Sequence, residues 1–402
     1  MVDRISTLQI FQSGVSTILQ RQAELARTQE ELATGRRILS PSDDPAGAVQ
    51  ILDIEEDLRQ VDQYQRNASL AEGQLALSDS TLSNVTQVLQ RVRELSIQAN
   101  NASLGPDELE AIAIELDSRL EELVGLANTR DANDEYIFAG FQATAEPFEL
   151  NGGEVAYRGD DGQRFIDISA GSQVAVRESG SRLFMAIPAG NGDFDFSVSG
   201  NNGTAIVNAA SSNGTFVRDE YTVRFIQAAP TDPVTYEVVD SAAAVVATGN
   251  YVENEPITFN GASITVEGEP ADGDTIDIDS TPAQSVFATV AEIADALRSA
   301  SGEASNTAEI NTTIASGLLN LDQALGNILN TQADIGTRLN RVDSQQAINE
   351  EFNLQLQTTL SDVQDVDYAE AISRLNLQLV ALQAAQQTFV TTQRLSLFDY
   401  IR

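Results

Sequence analysis

Two stretches at opposite ends of the chain carry the same narrow apolar repeat, and this repeat limits the possible folds more than any other feature. Near the N-terminus it steps by four and three residues in turn, through Phe11, Val15, Ile18, Gln22, Leu25, Gln29 and Leu32. Near the C-terminus it steps in the same way, through Tyr368, Ile372, Leu375, Leu379, Leu382, Gln386 and Phe389. So narrow a stripe is typical of a coiled-coil seam and needs a partner helix. The two ends either pair with each other or pack in one ordinary helical bundle.

The middle of the chain has a different pattern. Apolar and polar residues alternate in segments such as 221–225, 235–239, 263–267 and 275–279, and Asn-Gly or Asp-Gly pairs separate such segments. Period-two alternation between turn pairs is typical of antiparallel strands. The sequence therefore predicts an α+β fold, in which both chain ends build a long helical hairpin or coiled-coil body around a central antiparallel β domain.

Helix-breaking residues divide the chain further. Gly35 ends the first helix, and Pro41 and Pro45 make a rigid turn in which Asp43 or Asp44 caps the next helix. Breaks at Gly105 and Gly302 and the change in composition give the other boundaries. We expect an N-terminal helix with its loop (1–47), a helical rod (48–140), the β domain (141–283), a returning rod (284–360) and a C-terminal helix (361–402).

The composition argues against an enzyme. The chain has neither cysteine nor histidine, which excludes disulfides, thiolate catalysis, a histidine general base and most zinc sites. Adjacent carboxylates such as Glu55 and Glu56 point about 100° apart on a helix and do not converge. We therefore expect no catalytic residues, no cofactor and no metal. A calcium-binding surface at Asp272, Asp274, Asp277 and Asp279 is an alternative, but no EF-hand pattern is present and a solubilising strand edge is favoured.

The formal net charge is −37, and every basic side chain is an arginine. Such a chain is a poor partner for nucleic acid or for an anionic membrane surface. We also expect no membrane insertion, because no stretch approaches the roughly 20 apolar residues of a membrane span. The first residues lack the basic and apolar regions of a cleaved signal peptide, which on its own favours a cytoplasmic location.

Several motifs resemble the flagellin superfamily. The segments 31–38 and 40–47 (ELATGRRI and SPSDDPAG) are similar to the N-terminal signature of that superfamily. The prolines on either side of Asp43 and Asp44 resemble hook-associated proteins of the hook–filament junction type more than flagellin. So do the segments 136–140, 367–371, 382–384 and 395–400, and the segment from 257–261 to 273–274 resembles a β element of hook-associated proteins. The alternative within the superfamily is flagellin itself, the filament subunit.

The resemblance implies a structural role in the bacterial flagellum. Proteins of this type are exported through the flagellar type III apparatus without a cleaved signal peptide, and an export chaperone is an expected partner. They assemble as a ring at the hook tip, between a neighbouring hook-associated protein and flagellin, with the terminal helices in the axial core and the β domain outward. This location is extracellular.

The terminal seams and the signature loop are the predicted assembly interface. Its residues are Phe11, Val15, Ile18, Leu25, Leu32, Pro41, Asp43, Asp44, Pro45, Tyr368, Ile372, Leu375, Leu379, Leu382, Phe389, Leu395 and Leu397.

Overall fold

A computed structural model describes residues 7–101, 103–199, 202–229, 231–280 and 283–400, except for the side chains of residues 7, 8, 10 and 392–400. Six α-helices are described: α1 (Thr7–Thr34), α2 (Pro45–Ala99), α3 (Pro106–Ala127), α4 (Val286–Arg298), α5 (Ala304–Gln364) and α6 (Tyr368–Tyr400). All strands lie between α3 and α4, so the α+β organisation predicted from the sequence is confirmed.

The strands are numbered in chain order. They are β1 (Phe148–Asn151), β2 (Glu154–Tyr157), β3 (Phe165–Ser169), β4 (Ser172–Ala175), β5 (Ile187–Pro188), β6 (Phe194–Ser199), β7 (Ile206–Ser212), β8 (Tyr221–Ile226), β9 (Thr235–Asp240), β10 (Val245–Asn250), β11 (Pro256–Phe259), β12 (Ala262–Glu267), β13 (Thr275–Ser280) and β14 (Ala283–Gln284). The four alternating segments named above lie in β8, β9, β12 and β13. A π-helical turn, Ser181–Met185, lies between β4 and β5.

The chain forms two compact units. The first consists of residues 1–66 and 346–402, and the second of residues 67–345. Helices α2 and α5 contribute residues to both.

The second unit has two apolar cores. One lies among α2, α3, α4 and α5 and contains a cluster of four buried phenylalanines, Phe138, Phe148, Phe184 and Phe287, with neighbouring ring centroids 5.3–5.8 Å apart. The other is formed by a five-stranded sheet (β10-β9-β8-β13-β6) and a three-stranded sheet (β11-β12-β7), whose apolar side chains share one core. Every strand pair is antiparallel, as the alternation predicts.

The first unit has a much smaller core. Its buried apolar cluster consists of Ile54 and Val61 of α2 and Leu356 of α5, with Leu58 and Leu360 packed against them. These residues recur at heptad-like spacing, so α2 and α5 meet along a narrow seam here. The pairing of α1 and α6 completes the unit.

Candidate assembly interface

Helices α1 and α6 pair with each other in antiparallel orientation. Phe11 contacts Phe389 near one end, with ring centroids 5.4 Å apart, and Glu31 accepts a 2.6 Å hydrogen bond from Arg374 toward the other. Of the two arrangements that the apolar repeats allow, the structure has the one in which the two chain ends pair.

The buried stripe differs from the predicted one in part. Val15, Ile18, Leu25 and Leu32 of α1 and Leu375, Leu382 and Phe389 of α6 are half-buried, as a seam requires. The predicted glutamines at 22, 29 and 386 are instead exposed, and Thr28, Glu31, Ala371, Gln378 and Ala385 take part in their place. The prediction that glutamines interrupt the seam at these positions is wrong, because burying an amide without hydrogen-bond partners is unfavourable and these exposed positions keep the amides in water.

Three predicted interface residues of α6 lie beside the buried stripe and not within it. Tyr368, Ile372 and Leu379 are 55%, 50% and 44% exposed, and Phe11 of α1 is 47% exposed. Helix α1 does not cover them, so they form an exposed apolar stripe along α6. The side chains of Leu395 and Leu397 lie outside the described residues.

The signature loop is held by its two aspartates in different ways. Asp44 is the N-cap of α2, because its Oδ1 accepts a 3.0 Å hydrogen bond from the Gly47 amide, and Pro45 takes the first helical position. Asp43 accepts hydrogen bonds from the Ser40 amide at 2.9 Å and the Leu39 amide at 3.3 Å, and pairs with Arg27 at 3.0 Å. The sequence allowed either aspartate to cap α2, and in the structure Asp44 is the cap.

Hydrogen bonds to the charged form lower the pKa of Asp43. The Ser40 amide is the largest cause, and the Arg27 guanidinium adds to it. The carboxylate is thus held ionised within the loop. Pro41 is exposed and follows Ser40, whose hydroxyl is 2.6 Å from that of Ser42.

A short ladder joins the signature loop to the turn between α5 and α6. Gly35 ends α1 with a φ of +73°, and Arg36 then forms an antiparallel bridge with Asp365. The Arg37 amide donates to the Gln364 carbonyl at 2.7 Å, and the Val366 amide donates to the Gly35 carbonyl at 2.9 Å. This ladder, called the joint below, ties the last turn of α1 to the first turn of α6. No pattern in the sequence predicts this joint.

A polar layer lies between the joint and the apolar seam. Glu31 is buried and pairs with both Arg374 and Arg27, the latter at 3.4 Å. These residues line a groove of about 340 Å³ with Asp43, Asp44 and Gln378 among others. Within the described residues, Arg374 Nε and Gln378 Oε1 are buried without a hydrogen-bond partner.

Two of the four possible calcium ligands, Asp272 and Asp274, have other roles. Asp274 is buried and accepts hydrogen bonds from the amides of Asn202, Gly203 and Ala271, and Asp272 accepts one from the Gln227 amide. These carboxylates therefore close loops. Among the described residues no group of three or more carboxylate, histidine or cysteine side chains is placed to hold a metal ion. No helix within the described ranges is both long and apolar enough to span a membrane.

Comparison with known proteins gives the family. Residues 5–143 match the family model for the bacterial flagellin N-terminal helical region, and residues 318–401 match that for the C-terminal helical region. Flagellar hook-associated protein 3 of Salmonella typhimurium is 27% identical over 99% of this chain and 100% of its own length. The crystal structure of FlgL from Xanthomonas campestris is 31% identical, with a TM-score of 0.72 over 77% of this chain and 99% of that one. The chain belongs to the flagellar hook-associated protein 3 (FlgL) family.

The FlgL likeness extends through the β domain, and the likeness to flagellin does not. The flagellar junction protein FlgL from Legionella pneumophila is 31% identical, with a TM-score of 0.71 over 79% of this chain and 100% of that one. A flagellin of Listeria monocytogenes is 32% identical, but over only 27% of this chain and 38% of its own length. As a FlgL-type protein, the chain is a structural component of the bacterial flagellum, and flagellin is the weaker interpretation.

Proposed function

We propose that this protein joins the hook to the filament by assembling with further copies of itself at the hook tip. The observation that carries the proposal is the distribution of exposed apolar side chains. Of the 23 large apolar residues that are exposed in the described part of the chain, 13 lie in the first unit. That unit holds fewer than a third of the residues, so its surface is far richer in apolar groups that the chain leaves uncovered.

Exposed apolar groups at this density are typical of a surface that other subunits cover in an assembly. The α6 stripe of Tyr368, Ile372 and Leu379 belongs to this surface. So do Val49 and Leu52 of α2 and Ile348, Phe352 and Leu354 of α5. Because all four helices of the unit carry such residues, neighbouring copies cover them from more than one side, as a ring requires.

The remaining partners follow from the family. A hook-associated protein lies on the hook side, flagellin lies on the filament side, and the β domain faces outward. The chain passes the flagellar type III apparatus with an export chaperone and without a cleaved signal peptide. Its lack of cysteine suits this route, since no disulfide has to open before passage. The terminal seams suit it as well, because they bury little apolar surface and unfold at low cost.

Deleting the gene tests the proposal. We expect the deletion strain to carry hooks without filaments in negative-stain micrographs, and to release flagellin into the medium. A plasmid copy of the unmodified gene should restore the filaments. Filaments of normal length on the hooks of the deletion strain would show that the protein is not the junction.

A further inference from the structure

The α1–α6 pair is tied firmly at only one of its ends. The joint holds Gly35 and Val366 together there. Gly14 is 21 residues from Gly35, which corresponds to about 30 Å of helix. Over this length the only apolar side chain that is fully buried, among those described in the two helices, is Ala371. The ends far from the joint therefore need a contact of their own to stay together.

Gly14 supplies the space for such a contact. It is the only glycine in α1, and glycine is unfavourable inside a helix because it loses the most conformational freedom. A Cβ atom added at Gly14 would lie 2.6 Å from Cδ2 and 2.9 Å from Cε2 of Phe389. The Phe389 ring thus lies where any larger residue at position 14 would place its side chain.

Phe11 contacts the same ring. Its centroid lies 5.4 Å from that of Phe389 with the planes tilted by 44°, and this separation is within the contact range of aromatic pairs. Phe11 is three residues before Gly14 and therefore lies on the same side of α1. The Phe389 ring is held by the Gly14 backbone and the Phe11 ring together.

We propose that Phe11, Gly14 and Phe389 form a clasp that closes the free end of the α1–α6 pair and so positions α6 for assembly. The clasp acts with the joint, because two contacts at opposite ends fix both the separation and the rotation of the helices. The stripe of Ile372 and Leu379 then stays on the outer side of α6, where a neighbouring copy can cover it. This inference rests on the proposed function, and Phe389 is a positioning residue within it.

Distances between spin labels test the clasp directly. The chain has no cysteine, so two introduced cysteines can be labelled without background. One pair, Gln12→Cys with Gln387→Cys, reports on the clasp end, and a second pair, Ala33→Cys with Ser373→Cys, reports on the joint end; all four positions are exposed. Pulsed electron paramagnetic resonance on the full-length chain gives both distances.

The Gly14→Ala variant should open the clasp. We expect the clasp-end distance to lengthen and broaden while the joint-end distance stays as in the unmodified chain, and we expect filament attachment to be lost in the complementation assay. Gly73→Ala is the matched control, since Gly73 is also inside a helix but a Cβ there meets nothing within 4 Å. The double variant Gly14→Ala/Phe389→Leu should recover a short clasp-end distance, because the flexible leucine can yield to the added methyl group.

The Phe389→Ala variant provides a second test, in which no added atom collides with the Phe389 ring. It removes the ring and should also lengthen the clasp-end distance, and an unchanged joint-end distance shows that the chain has folded. If Gly14→Ala gives the same distances and filaments as Gly73→Ala, the clasp does not exist. If the clasp end opens but filaments attach normally, the clasp has no positioning role. Neither result bears on the gene deletion, which tests the junction role separately.

Discussion

Asp43 and Asp44 are neighbours in sequence, yet their carboxylates accept hydrogen bonds from different parts of the chain. Asp44 binds forward to the Gly47 amide at the start of α2, and Asp43 binds backward to the Ser40 and Leu39 amides. Together they fix the loop from both sides. Their effects on stability should therefore be separable by mutation.

Replacing Asp44 with alanine should destabilise α2. Among the described residues, Asp44 supplies the one side chain that caps α2, and the loss of such a cap costs about 1 kcal/mol. Denaturant unfolding followed by circular dichroism measures the change. Asp53→Ala is the control, because Asp53 is exposed inside α2 and alanine there favours the helix. Equal stability of the two variants would contradict the capping role.

The charge of Asp43 should appear in the pH dependence of stability. Its folded pKa lies below the ordinary value of 3.8, chiefly because of the Ser40 amide, so folding favours the ionised form. The stabilisation is complete above the unfolded pKa and is lost as pH falls through the lowered folded pKa. Asp43→Asn should therefore lose less stability than the unmodified chain as the pH is lowered from about 5 to below the ordinary aspartate pKa of 3.8. Parallel curves for the two proteins would contradict this assignment.

At the scale of the elements, the sequence predicted much of the fold. The repeats placed α1 and α6, Gly35 marked the end of α1, and the alternation placed β8, β9, β12 and β13. These features are local, so a single segment contains enough information. The loop between α1 and α2 was also predicted, because proline and a capping aspartate act within a few residues.

The features that the sequence does not predict depend on residues far apart in the chain. The joint pairs Arg36 with Asp365, and the clasp places Phe389 on Gly14. Nothing near Gly14 indicates a ring more than 370 residues away, although an isolated glycine inside a predicted helix was a signal of close packing. The order of the strands in the five-stranded sheet could not be predicted either, because β13 lies between β8 and β6 by long-range pairing.

The local stability of the elements should differ in a predictable way. In α1 and α6 only Thr28, Glu31 and Ala371 are fully buried among the described side chains, whereas residues 75–95 of α2 bury seven large apolar side chains. Amides of 11–32 and 368–391 should therefore exchange with solvent at least about tenfold faster than those of 75–95. Hydrogen exchange followed by mass spectrometry on the isolated protein measures this. Equal protection would mean that the paired ends are as stable as the central helices.

At the scale of the whole molecule, charge opposes assembly. A chain with a net charge of −37 repels its own copies, and salt screens this repulsion. Self-assembly measured by light scattering should increase as sodium chloride rises from about 0.05 M to about 1 M, over which the screening length falls from more than 10 Å to about 3 Å. A steady decrease over this range would indicate that the contacts between copies are mainly ion pairs.

We propose that the apolar stripe on α6 is covered by another subunit in the assembled flagellum. The test is a complementation assay with Ile372→Ser/Leu379→Ser in the deletion strain, scored by electron microscopy. The control is Val245→Ser/Val252→Ser, which changes two residues of the β domain that are 52% and 53% exposed. Because all four residues are exposed in the isolated chain, both variants should fold, and circular dichroism verifies this. We expect hooks without filaments for the α6 variant and normal filaments for the control, whereas normal filaments in both strains would show that the stripe is not covered in the flagellum.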